Sequence, residues 1–298
     1  MSEEKLRVLV TGATGRLGRS VTAALAAAGH EPVSVDVVAD PDSPWEHLPA
    51  DLTHAGDAYA AIARYRPDAV VHLAALAVPF SRPEHTLYTT NTALAFNVLQ
   101  ASVDLGVRRV AVASSPTVIG YGNPAGWAPS YLPLDEDHPT APWNAYSLSK
   151  LAVEQAMGMF ATRRGDHVRF AAFRPCFVVA PEDWAGAPTQ DGRTIGERLE
   201  RPEIGAVSLF NYLDARDAGT FVTRLVEQLP GLPNGEVFFV GADDGLVREP
   251  VADAIATHVP AAADAAATLA AASPLFSNAK AKRLLGWSPE HSWRTELT

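Results

Sequence analysis

Leu6-Arg7-Val8-Leu9-Val10-Thr11-Gly12-Ala13-Thr14-Gly15-Arg16-Leu17-Gly18 reads as a short apolar strand that runs into a glycine turn and opens a helix. The three glycines, spaced G-x-x-G-x-x-G, meet three different demands. Gly12 allows the tight turn, Gly15 lets the backbone approach a pyrophosphate, and Gly18 lets the helix lie close to the strand. Free N–H groups and the helix dipole then face the anion. In this strand–turn–helix context, Gly12, Thr14, Gly15, Arg16, Leu17 and Gly18 are candidate cofactor contacts.

Working outward, the same alternation of strand and helix continues. Pro32–Asp36, Ala69–Leu73, Arg109–Ala113 and Val168–Phe173 are short apolar runs bounded by breakers, as buried parallel strands are. Helical stretches near 16–28, 56–66, 85–105 and 146–163 lie between them. The pattern predicts an α/β fold, a doubly wound parallel sheet of the Rossmann type. Beyond Pro175 the regularity fails over 176–210, then Ala215–Leu229 reads as a helix and Glu236–Val240 as a further strand. We therefore expect a dinucleotide-binding domain at 1–175, rejoined by about 211–242, and a smaller interleaved substrate-binding region at 176–210 and 243–298. The alanine-rich stretch 260–272 reads equally as a helix or a loose surface segment.

Composition narrows the partners. The 298 residues are 47% hydrophobic and 19% charged, with a formal net charge of −10, which is ordinary globular usage and unfavourable for nucleic acid. A single cysteine, Cys176, excludes an intrachain disulfide and a cysteine-rich metal site; no metal is expected. The start Met1–Val10 is acidic and no apolar run approaches membrane length, so a cytoplasmic protein with no membrane partner is expected.

Asp36 closes its strand 18 residues after Gly18, near the offset at which an acidic side chain meets the adenosine ribose hydroxyls. That predicts NAD, since a 2′-phosphate would meet a carboxylate; Arg16 is the residue able to offset this in part. Tyr146 and Lys150, in Tyr146-Ser147-Leu148-Ser149-Lys150, share a helical face at i and i+4. A neighbouring ammonium lowers a phenol's pKa from about 10 and so makes it a better base. Ser115, beyond the carboxyl end of strand 109–113, falls on the rim where such sheets bind ligands.

Taken in order, Thr11–Gly18, Asp36, Asp51-Leu52, His72-Leu73-Ala74-Ala75, Asn91, Ser114-Ser115 and Tyr146–Lys150 resemble the extended short-chain dehydrogenase/reductase family, the NAD-dependent epimerase/dehydratases. Arg174-Pro175 and Ser277–Trp287 extend the resemblance over nearly the whole chain. It implies that Tyr146 is the general acid/base, that Lys150 holds the nicotinamide ribose and lowers the tyrosine pKa, and that Ser115 bonds the reacting oxygen. It also implies cofactor contacts at Asp51, Leu52, Leu73, Ala74, Ala75, Asn91, Ser114, Tyr146, Lys150 and Pro175, substrate contacts at Ser115, Arg174 and Cys176, and a homodimer.

One departure bears on the substrate. Many nucleotide-sugar members carry an arginine before a tyrosine to clamp a diphosphate, whereas Phe210 holds that place ahead of Asn211-Tyr212, and no arginine lies between 249 and 282. Arg174, Arg193, Arg198 and Arg201 remain candidates to bind an anion. The expectation is therefore NAD-dependent oxidation at a carbinol carbon of a small sugar, sugar acid or polyol. A nucleotide-sugar epimerase or dehydratase is the first alternative and a non-catalytic dinucleotide sensor the second.

Overall fold

The computed structural model describes residues 5–297; Met1–Glu4, at the acidic start, and Thr298 lie outside the described residues. The chain begins β1(Arg7–Thr11), α1(Arg16–Ala27), β2(Glu31–Asp36), β3(Glu46–Pro49), α2(Ala55–Tyr65), β4(Ala69–His72), α3(Glu84–Asp104) and β5(Arg109–Ala113). It continues with α4(Ala145–Arg164), β6(Arg169–Pro175), β7(Val178–Val179), α5(Pro181–Trp184), α6(Ile195–Glu200), α7(Pro202–Ala206), β8(Leu213–Asp214), α8(Ala215–Gln228) and β9(Glu236–Val240).

Seven parallel strands form one sheet in the order β3-β2-β1-β4-β5-β6-β9, and β7 pairs with β8 in a two-stranded ribbon. The doubly wound expectation holds, and the order reverses beside β1, where such sheets bind ligands. The central strands β1, β4, β5 and β6 are apolar in their middles, with polar residues only toward their ends, because helices cover both faces. On one face α1 and α8 lie against Val8, Val10, Val71 and Phe173; on the other α2, α3 and α4 cover Leu9, Val70, Val110 and Phe170. Gly219 brings α8 onto α1: a Cβ there would lie 2.8 Å from both Ala24 Cβ and the Ser20 carbonyl.

Strand β3 has no counterpart in the sequence reading. Glu46-His47-Leu48-Pro49 carries no apolar run, because an edge strand half open to water needs none, and its proline is tolerated there. Pro32 falls before the β2–β3 register starts at Val33, so its missing N–H costs no ladder bond. The 176–210 region resolves into short elements, β7 and α5–α7. In the alanine-rich stretch, a single helical turn at Ala263–Ala266 follows a 3₁₀ turn, and Ala262 and Ala266 are fully buried; alanine is used there for close approach.

Candidate active site

At the carboxyl ends of the strands lies a cavity of about 1080 Å³, larger than the roughly 300–1,000 Å³ of a drug-sized site. Its floor is the glycine turn. Gly12 adopts φ +71°, and a Cβ there would sit 2.7 Å from the Ala74 nitrogen; at Gly18 a Cβ would sit 2.1 Å from the Gly12 carbonyl. Both positions therefore exclude a side chain. Thr11 Oγ1 accepts from the Leu73 and Ala74 N–H groups, each at 3.2 Å, and shares a 2.8 Å hydrogen bond with His72 Nδ1. One hydroxyl thus ties the 73–75 loop to the turn. His72 is buried, and burial beside the Lys150 charge pulls it down to about 3, so it is neutral.

These residues form a cradle suited to a dinucleotide. No side chain caps α1, which leaves its first-turn N–H groups free for phosphate, and Gly15, Arg16 and Leu17 line the cavity. Asp36 accepts from the Thr14 N–H at 3.1 Å and from its hydroxyl at 2.7 Å, so the turn holds the carboxylate at the cavity wall. Asp51, held below its usual range by the Thr53 hydroxyl and N–H, lines the same end with Leu52. Arg16, by contrast, is paired with the buried Asp183 and donates to the Pro188 carbonyl at 2.8 Å. It is engaged and does not offset Asp36.

The chemistry-bearing side chains meet at the other wall. Asn144 caps α4 by accepting from Ser147 N–H at 2.9 Å, which fixes the first turn and with it Tyr146. Ser115 stands beside the Tyr146 hydroxyl and favours its ionised form, and it accepts from Thr117 Oγ1 at 2.9 Å. Lys150 donates to the Ala113 carbonyl at 2.9 Å, and its ammonium lies 5.9 Å from the Tyr146 ring centroid. Burial pulls Lys150 down to about 8, against the opposing charge of Glu154. Contrary to the expected lowering, burial pushes the Tyr146 phenol up and Ser115 only partly opposes it. The ammonium is spent on a carbonyl and sits over the ring rather than bonded to the hydroxyl it was expected to tune.

Three expected contacts are placed elsewhere. Arg174 does not reach the cavity: its guanidinium forms a buried pair with Glu154, at 2.8 and 2.9 Å, and stacks 5.0 Å from the Phe239 ring centroid. Ser114 lines the wall, yet its hydroxyl donates to Glu154 at 2.5 Å and away from a ligand. Asn91, 2% exposed, accepts from Leu76 N–H at 2.8 Å and donates to Ser149 Oγ at 3.1 Å; it positions the 73–76 loop against α4. Pro175 and Cys176 do line the cavity, and burial pushes the Cys176 thiol well up, so it is an unreactive wall.

Other walls carried no sequence signal. Tyr121, Trp143, Phe177 and Asn211 come from irregular segments and enter the cavity; no periodicity marks such residues. Phe210 is a core residue beside α7, 1% exposed and turned away from the cavity. Arg198, on α6, does line it, whereas Arg201 is paired with Glu203 at the surface and Arg193 is exposed. No His/Cys/Asp/Glu cluster able to hold a metal exists among the described residues. No described helix is long and apolar enough to cross a membrane.

Known proteins share this arrangement. A sequence model described as the NAD dependent epimerase/dehydratase family matches residues 8–241. A UDP-glucose 4-epimerase of Azospirillum brasilense is 34% identical over 193 residues, 62% of this chain and 52% of that protein, so the chain matches about half of that relative's length. A UDP-glucose 4-epimerase of Corynebacterium glutamicum is 25% identical over 96% of this chain and 92% of its own. Among solved structures, a short-chain dehydrogenase/reductase superfamily protein from Agrobacterium tumefaciens, with bound NAD, superposes with a TM-score of 0.72 over 98% of this chain and 94% of its own, at 22% identity. A match running from the first strand of the sheet to the last, over a cavity already shaped for a dinucleotide, makes this chain a member of the NAD-dependent epimerase/dehydratase family, with NAD as its cofactor.

Proposed function

We propose that the protein interconverts nucleotide sugars by oxidation and reduction at a carbinol carbon, with 4-epimerisation as the reaction type. The observation that carries this is the meeting of Tyr146, Ser115 and Lys150 on one wall of a cavity that extends from the glycine turn to Arg198. The relatives named as UDP-glucose 4-epimerases support it. The expectation of a small unactivated sugar rested on an absent diphosphate clamp; Arg198 in the cavity wall and the relatives named as UDP-glucose 4-epimerases favour a nucleotide sugar instead.

NAD, when bound, supplies the hydride acceptor for the carbinol carbon. Tyr146 takes the hydroxyl proton as the carbon is oxidised and returns it when the ketone is reduced again, so one phenol serves both halves of an epimerisation. Ser115 holds the reacting oxygen beside that phenol. Lys150, anchored on the Ala113 carbonyl, is the group that would hold the nicotinamide ribose. Asp36 is the ribose ligand, Asp51 and Leu52 flank the adenine end, and Ala74, Ala75 and Pro175 allow close backbone approach. In this reading 1–175 with about 211–242 carry the cofactor, and 176–210 with 243–298 shape the substrate.

We also propose a homodimer. A shallow groove runs between α3 and α4, past Tyr88, Ala152 and Ala156, and is flanked by the exposed Phe96, Leu148 and Met159. Such a face is satisfied by a second copy of itself about a two-fold axis.

The test is to incubate the protein with NAD and UDP-glucose, UDP-galactose, galacturonate and free galactose, following NADH absorbance together with product identity. Epimer formation from a UDP-sugar without net NADH is expected. Steady NADH release from free sugars or uronates, with UDP-sugars inert, would overturn the reading.

A further inference from the structure

Three basic side chains line the cavity, and two are committed. Lys150 serves the Tyr146 wall through the Ala113 carbonyl, and Arg16 is locked to the buried Asp183. Arg198 differs. It is 5% exposed, its guanidinium lies 4.1 Å from the centroid of the Phe177 ring, and its Nε is buried without a hydrogen-bond partner among the described residues. Its counter-ion is Asp191, whose side chain is 35% exposed on the turn Thr189–Gly192 and lines the same cavity. A sealed guanidinium with an orphaned N–H and a solvent-facing carboxylate as partner is only half satisfied, and leaving a buried donor unpaired is costly.

We propose that Arg198 is the receptor for the anionic group of the substrate and that the Asp191 carboxylate is its stand-in, displaced when that group enters. This rests on the reading of the cavity as the substrate site. The Phe177 ring under the guanidinium limits how the group can turn, and a planar guanidinium suits two-pronged binding of a phosphate or carboxylate. The guanidinium faces an anion before and after the exchange, so no lone cation is left buried. It is also cheap for the released side. Asp191 keeps its 2.6 Å bond from the Thr189 hydroxyl, and the turn is closed by Thr189 N–H to Arg193 carbonyl at 2.8 Å and Gly192 N–H to Thr189 carbonyl at 2.9 Å. The position before Asn211-Tyr212 that lacks an arginine is thus served from α6 instead.

The anion is either the diphosphate of a nucleotide sugar or the carboxylate of a sugar acid, and the two are separated by titration. UDP and galacturonate are titrated calorimetrically into NAD-saturated protein, wild type, Arg198→Met, Arg198→Lys and Asp191→Asn, with NAD affinity measured on each as the check of folding. We expect Arg198→Met to weaken UDP about 10- to 100-fold, Arg198→Lys to recover part of the loss, Asp191→Asn to tighten UDP several-fold, and NAD affinity to be the same throughout. If galacturonate is the ligand that shows this dependence, the exchange stands and the nucleotide-sugar reading falls. Binding of UDP or galacturonate by Arg198→Met at wild-type strength, no gain in Asp191→Asn, or a wild-type protein that binds neither anion would each overturn the proposal.

Discussion

At the residue scale, two side chains make separable contributions. On the proposed mechanism the Tyr146 hydroxyl carries the proton and is not needed for the grip on the dinucleotide. Tyr146→Phe is therefore expected to lower turnover on the order of 10²–10⁴-fold while NAD affinity stays within error, measured by single-turnover kinetics and NAD titration. An unchanged rate would end its assignment as acid/base. Asp36 is held to the glycine turn by Thr14 and lines the cavity. Asp36→Ala is expected to cost NAD roughly 10- to 100-fold in affinity, as a charged hydrogen bond does, and to narrow the gap to NADP; comparable NADP binding by the wild type would contradict the role. Both residues were legible in the sequence because spacing along one element, or a fixed offset from a glycine turn, determines where they point. Arg174 was misread because its neighbours were invisible: Glu154 lies one helical turn past Lys150 and takes the guanidinium into the core.

At the scale of elements, the site is assembled by ties between strands and helices. His72 at the end of β4 bonds Thr11 at the end of β1, and it is kept neutral. Its pKa is about 3 when folded against 6.5 as an ordinary histidine. Below pH 6.5 the unfolded chain binds a proton that the folded chain refuses, so stability present above that pH is lost as pH falls from 6.5 toward 3, by a few kcal/mol at the low end. His72→Asn is expected to flatten this acid limb in urea titrations run from pH 7 to 4. Parallel limbs for the two proteins would show that the histidine does not set it. The Glu154–Arg174 pair joins α4 to β6, and removing one partner strands a buried charge. Arg174→Leu is expected to cost on the order of 3–5 kcal/mol of stability, read by denaturant unfolding, with the Michaelis constant of the surviving enzyme unchanged. A raised Michaelis constant at wild-type stability would return Arg174 to the substrate.

At the scale of the whole molecule, the outer groove between α3 and α4 predicts association. Sedimentation at micromolar concentration is expected to show a dimer, and Phe96→Glu a monomer, since a charge placed in a self-facing apolar patch is buried twice in the pair. A wild-type monomer would refute it. By itself the sequence determined the doubly wound sheet, the dinucleotide turn and the Tyr146–Lys150–Ser115 set. Buried parallel strands must be apolar, a phosphate turn must have glycine where a Cβ would strike backbone, and an i, i+4 pair must share a face. Only the tertiary structure decided which of the candidate arginines, Arg174, Arg193, Arg198 or Arg201, lines the cavity. A guanidinium reaches several ångströms from its Cα and goes where a carboxylate and a ring receive it, and those partners, Asp191 and Phe177 for Arg198, Glu154 and Phe239 for Arg174, are brought there by chain folding over separations that no local pattern records.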